Sequence, residues 1–328
     1  MSGTTMERTT SSRTRPLPAP VGPMISTRRW SREPQHRYRR RRAAALVAVA
    51  VLATVVGIVV AGGGSRRPIA VAGEGQAGFL RSIQIMAGTG GRSLSARELA
   101  IQNAAINRTL QYTPYVRIAG AQHRELALTF DDGPGPFTPQ VLAILKQEYV
   151  GGTFFEVGVE EHFFHAGTSE AVADGFPIGD HTFSHEPMST LRRTQQQTQL
   201  LGQIRAIKPY GAPYPRLFRP PYGRWNATTL SLLQHYRMLM VLWSVDTNDW
   251  TRPGVQAIVN AAVKGARPGA IILLHDAGGN RSQTVTALPK IISALRRRGY
   301  RLVTVPQLLA DNPAPADQQI ASVIGAGG

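Results

Sequence analysis

From Glu125 onward, short β-branched and aromatic runs alternate with helical stretches. The runs predict strands at 126–130 (LALTF), 153–157 (TFFEV), 177–179 (PIG), 216–220 (RLFRP), 238–245 (MLMVLWSV), 270–275 (AIILLH) and 301–305 (RLVTV). Helix signals fall between them. Thr138-Pro139 sets a capping hydroxyl before a first-turn proline ahead of QVLAILKQEY, and ALPKIISALRRRG ends on Gly299 as a C-cap. Such alternation predicts a mainly parallel sheet with helices outside it, closed into a (β/α) barrel or left open and doubly wound.

The polar residues favour the barrel. Asp131 and Asp132 follow the first strand, Asp246 follows VLWSV, and His275 ends AIILLH. In a barrel, strand ends distant in sequence converge on one rim, where barrel enzymes keep their chemistry. About seven strands predict a distorted, incomplete barrel spanning 122–310.

Upstream the pattern changes. Residues 1–42 are poor in large aliphatics and rich in Ser, Thr, Pro and Arg, predicting a disordered basic tail. Ala43 to Ala61 is an uncharged run of 19 residues; as a helix it spans roughly 28 Å, close to a bilayer core of about 30 Å. Arg37 and Arg39 to Arg42 outweigh Arg66 and Arg67, which places the tail in the cytoplasm and the C-terminal domain outside. A secreted form cleaved near Ala70-Val71-Ala72 is the alternative. Residues 62–121 read as a stalk, with one short amphipathic helix opening at the capping box Ser95 to Glu98. Residues 311–328 read as a disordered tail.

The net charge of +17 suggests an anionic partner until it is located. Residues 1–67 hold 13 Arg against two acids, which is +11 of that total, so specific nucleic-acid binding by the folded part loses its support. The absence of cysteine excludes disulfides, a thiol nucleophile and Cys-ligated zinc. Nothing in the pattern sets the oligomeric state.

Chemistry concentrates in a few clusters. In GDHTFSHEPMS, His181 and His185 lie four apart; on a helical turn they share a face and can bind one cation, though such pairs are commonly solvated surface residues. One aspartate and two histidines suit a catalytic Zn²⁺ or another first-row divalent metal such as Co²⁺. FRPPYG puts Arg219 before two prolines that stiffen a turn, and DTNDW and LLHD complete the set.

TFDDGP, HTFSH, RPPYG, DTNDW and LLH, in that order and spacing, resemble the five motifs of the polysaccharide deacetylase family, the NodB-homology or carbohydrate esterase family 4 domain. The resemblance covers about 124–310 and implies a distorted (β/α)7 barrel that removes acetyl groups from N-acetylated sugars. It further implies Asp132, His181 and His185 as metal ligands, Asp131 as general base paired with Arg219, and His275 as general acid. An acid of DTNDW orients His275; Asp246 is favoured over Asp249. Tyr222, following Pro221, supplies an oxyanion donor, while Leu273 and Trp250 line the acetyl pocket.

Asp180 stands where many relatives carry Asn, and His162 and His165 match no motif; they read as surface residues of a substrate loop, with a second metal site as the alternative. The expected activity is N-deacetylation of an N-acetylglucosamine polymer, peptidoglycan or chitin-like. O-deacetylation of acetylated xylan and a catalytically silent glycan-binding module are the alternatives.

Overall fold

Strand β2, Glu125–Asp131, is buried along its whole length and shows how the architecture is built. Leu126, Leu128 and Phe130 pack outward in a cluster with the flanking helices, while Ala127 faces a second, interior cluster with Phe155, Phe218 and Leu273. Burial on both faces is the mark of a parallel strand covered by helices. The alternation also sends Thr129 and Asp131 inward with Ala127.

The computed structural model describes residues 94–318. The expected tail 1–42, the apolar run 43–61, the stalk up to 93 and the last ten residues lie outside the described residues. Among the described residues no helix is long and apolar enough to cross a membrane.

The elements in order are α1 (Ala96–Leu110), β1 (Tyr115–Val116), β2, α2 (Thr138–Glu148), β3 (Thr153–Glu156), α3 (Glu161–Ala173), β4 (Ile178–Asp180), α4 (Arg193–Ile207) and β5 (Leu217–Phe218). Then follow α5 (Ala227–His235), β6 (Leu239–Val241), β7 (Val245–Asp246), α6 (Val255–Gly265), β8 (Ile271–His275), α7 (Ser282–Arg297), β9 (Arg301–Val303) and α8 (Val305–Asp311). The sheet runs β1-β6-β5-β4-β3-β2-β8-β7, with β9 also on β2, and every strand pair is parallel. It is a curled parallel sheet with helices outside, in keeping with a distorted (β/α)7 barrel.

Several expectations are corrected. The predicted strand 238–245 is two: β6 pairs with β5, β7 pairs with β8, and Leu242 to Ser244 bend the chain between them. Thr138 does not cap α2. Its hydroxyl accepts from the Gly135 N–H at 2.7 Å and donates to Asp276, so a tertiary contact displaces the cap. The helix after Ser95 forms with its capping box intact, yet it is no part of a free stalk. Ala105 and Ile106 are buried in the interior-facing cluster, and β1 joins the sheet beside β6. The C-terminal tail is likewise held as far as 318, where the Gln318 side chain accepts from the N–H groups of Arg117 and Ile118.

Candidate active site

The inward register of β2 meets that of β8. Ile272 and Leu274 pack outward while Ile271 and Leu273 face inward, so His275 also points to the interior, and Asp131 and His275 are register partners. Asp132 lies one residue past the inward-facing position, but its backbone is left-handed, with φ 73°. That conformation is uncommon outside glycine and here turns a second carboxylate toward the same rim.

Arg219 is wholly buried just after β5. Its Nη1 donates to Asp131 Oδ1 at 2.7 Å and to Thr129 Oγ1 at 2.9 Å; its Nε donates to the Val241 carbonyl and its Nη2 to the Leu242 carbonyl. The guanidinium also lies 4.1 Å from the Phe155 ring centroid. A buried charge needs such complete pairing, and with it Asp131 keeps one oxygen occupied and one, Oδ2, open.

His181 and His185 meet Asp132 through a loop, which corrects the expected helical turn. Asp180 accepts from the Thr182 N–H at 2.7 Å, and Thr182 and His185 take positive φ of 70° and 59°. The loop brings His181 Nε2 to 3.6 Å and His185 Nε2 to 3.2 Å from Asp132 Oδ1. Among the described residues this is the one group of three or more such side chains with the spacing of a metal site.

The donor set fits a cation. His181 Nδ1 lies 2.7 Å from the Arg219 carbonyl, which can only accept, so Nδ1 carries the proton and Nε2 presents a lone pair. Burial lowers the His181 imidazole to about 4, so it is neutral near pH 7. A lone pair facing the oxygens of Asp132 at 3.6 Å and Asp131 at 3.7 Å is the arrangement a divalent metal satisfies. Burial would raise the Asp132 carboxyl, but the His185 hydrogen bond and the nearby imidazoles hold it well below the usual range.

The acid lean is corrected. His275 Nδ1 is 2.7 Å from Asp249 Oδ1, its backbone N–H donates to Asp249 Oδ2 at 2.9 Å, and the Thr284 hydroxyl donates to the same oxygen. Asp246 accepts instead from the Asn248 N–H at 2.8 Å and touches His275 only through charge. Asn248, at φ 51°, swings the chain into a turn that carries Asp249 beneath β8. Burial opposes a charged His275, yet the charge and hydrogen bond of Asp249, with Asp132 and Asp131 behind them, push it up to about 9.

The remaining expected residues surround this core. Tyr222, also left-handed at φ 58°, lies with its hydroxyl 3.2 Å from His185 Nδ1, and Pro221 is buried beneath it. Leu273 is buried and Trp250 half exposed. His162 and His165 sit on α3, not on a loop, with His165 stacked on Tyr210 at 4.6 Å. Two further residues, given no role from the sequence, border the site. Gly278 has φ 70°, and a Cβ there would lie 2.2 Å from Asp132 Oδ2. Asp276 is buried against Thr138, and burial pushes its carboxyl up to about 7; the signal was its outward position one residue after His275.

Comparison with known proteins places the chain among polysaccharide deacetylases. The polysaccharide deacetylase family model matches residues 119–241. A peptidoglycan-N-acetylglucosamine deacetylase of Bacillus cereus is 38% identical over 208 residues, covering 62% of this chain and 97% of the relative. A chitooligosaccharide deacetylase of Sinorhizobium fredii is 38% identical over 213 residues, covering 61% and 99% respectively. A crystal structure of a peptidoglycan N-acetylglucosamine deacetylase superposes with a TM-score of 0.59 at 33% identity, covering 61% of this chain and 94% of that one.

Proposed function

Because the chain belongs to the polysaccharide deacetylase family, we propose that it removes acetyl groups from N-acetylglucosamine residues of a cell-wall polymer, peptidoglycan foremost. It is a hydrolase of amide bonds. The observation that carries the finer reading is a pair of proton-handling groups in register, Asp131 and His275, beside the converging Asp132, His181 and His185. These three would hold a divalent cation, Zn²⁺ suiting one carboxylate and two imidazoles, which supplies Lewis acidity toward a carbonyl and lowers the pKa of water.

The chain's own residues handle the protons. Arg219 occupies Asp131 Oδ1, so Oδ2 takes the proton of the attacking water as its oxygen bonds to the acetamide carbon. Asp249 engages His275 Nδ1, which leaves the Nε2 proton for the departing nitrogen as the C–N bond breaks. Acetate and a free amine result, and Asp131 and His275 recover their starting protonation through solvent. The backbone N–H of Tyr222 is the oxyanion donor. Leu273 and Trp250 form the acetyl-methyl pocket. The apolar run 43–61 anchors the enzyme, with its catalytic domain outside the cell.

Acetate release from N-acetylglucosamine oligomers and from peptidoglycan tests this reading. Release should cease on chelation and in the double variant His181→Ala, His185→Ala. Undiminished release by that variant sinks the ligand assignment, and release from acetylated xylan alone sinks the substrate.

A further inference from the structure

From the end of β8 the chain reads HDAGGNRS, and its arginine, Arg281, is the last residue before α7 proper begins. Arg281 is 5% exposed, and among the described residues no carboxylate pairs with it. A cation placed there is disfavoured twice over. Burial strips its hydration, and the aligned peptide dipoles at the start of a helix repel positive charge. A residue kept against both effects owes its place to what its donors hold.

Those donors reach two separate turns. Nε donates to the Ala277 carbonyl at 2.6 Å and Nη2 to the Gly278 carbonyl at 2.7 Å, while Nη1 donates to the Trp250 carbonyl at 3.2 Å. The first turn lies against a metal-site carboxylate, since a Cβ on Gly278 would fall 2.2 Å from Asp132 Oδ2. The second runs between Asn248 and Arg252, both left-handed at φ 51° and 58°. It carries Asp249, whose two oxygens engage His275, and the half-exposed Trp250. Left-handed residues other than glycine persist where surrounding contacts over-determine them, and the Trp250 carbonyl sits in the middle of that turn.

We propose that Arg281 is a positioning residue that fixes the two sides of the catalytic rim relative to each other. Through Gly278 it seats the Asp132 carboxylate, and through the Trp250 carbonyl it keeps Asp249 beneath His275, an inference that rests on the roles proposed above for those side chains. The planar guanidinium suits the task because its nitrogens are rigidly spaced, so moving one turn moves the other.

Two substrate-free readouts test the coupling, Zn²⁺ affinity by competition titration and the NMR titration midpoint of His275. Arg281→Gln leaves one nitrogen for three carbonyls. It should weaken Zn²⁺ binding at least about 10-fold, the scale of losing a group that orients a ligand, and lower the His275 midpoint by about one unit. Arg281→Lys keeps the charge on a single nitrogen and should shift both readouts in the same directions. In the Arg281→Gln background, Gly278→Ala should cost less Zn²⁺ affinity than it does alone, because the turn it strains is already released. Wild-type values of both readouts in Arg281→Gln overturn the proposal, even if thermal stability falls, since the role is then structural alone. A change on one side of the rim only overturns the coupling, and wild-type values in Arg281→Lys show that charge suffices and overturn the fork. Should Arg281→Gln fail to fold, Arg281→Lys decides by the same criteria. Neither readout needs a glycan, so absence of acetate release from every substrate would sink the deacetylase reading and leave this test standing.

Discussion

Replacing Asp249 with Asn removes the charge that keeps His275 protonated while preserving size. The ordinary imidazole value of 6.5 is pushed up to about 9, so the surroundings favour the charged form by about 3 kcal/mol. Burial acts the other way, and Asp249 leads the groups that overcome it. Without its charge, burial prevails and the imidazole loses its proton well below pH 9. The assay is the pH dependence of kcat for acetate release. Asp249→Asn should move the alkaline limb acidward by about two units and lower kcat at pH 8 by about 10²-fold or more, the usual range for a general acid being 10²–10⁴. Asp246→Asn, which removes only a nearby charge, should shift the limb by less than about one unit. An unmoved limb in Asp249→Asn, or a larger shift in Asp246→Asn, refutes the assignment. NMR titration of His275 and thermal unfolding of both variants separate a protonation effect from a folding defect, since Asp249 also accepts from Thr284.

The other expectations rest on different parts of the site. Arg219→Met strands Asp131 as a buried unpaired carboxylate and should cost about 3–5 kcal/mol in urea unfolding; a loss under about 1 kcal/mol contradicts the pairing. Gly278→Ala drives a methyl into Asp132 and should weaken Zn²⁺ binding at least about 10-fold in a competition titration, with secondary structure retained. The raised His275 stabilises the fold fully below pH 6.5, and that contribution, about 3 kcal/mol at most, is lost as pH rises through about 9. Urea midpoints at pH 6.5 and 9.5 should therefore differ more in the wild type than in Asp249→Asn. Leu128→Ala, at a fully buried outward position of β2, should cost about 2–5 kcal/mol without changing the metal affinity.

The strand ends were legible because an apolar run that stops at a charge announces where the rim lies, as with Asp131 and His275. Where the chain leaves the strand, legibility stops. Asp246 looks like the partner of His275 because it closes β7, but a left-handed Asn248 delivers Asp249 instead, and asparagine's tolerance of that region permits φ 51° without dictating it. The same holds for Asp132, Thr182 and His185, whose positive φ values are sustained by the loop's tertiary contacts. The capping box of α1 could be read at Ser95, yet its partner surface could not, since local spacing reports which face is apolar and not what it meets. Gly278 was invisible for a related reason: its meaning lies in the carboxylate of a residue far away in sequence.

Asp131 and His275 being register partners has a consequence for how substrate choice can vary. Neighbouring strands are held about 4.7–4.9 Å apart by backbone hydrogen bonds, whatever the side chains around them. The spacing of the Asp131 and His275 backbones is thus a property of the sheet. Surface loops that carry none of Asp132, His181 and His185 can be lengthened, recharged or rebuilt without disturbing that distance. The spacing of these two groups and the shape of the surrounding surface loops can therefore change independently.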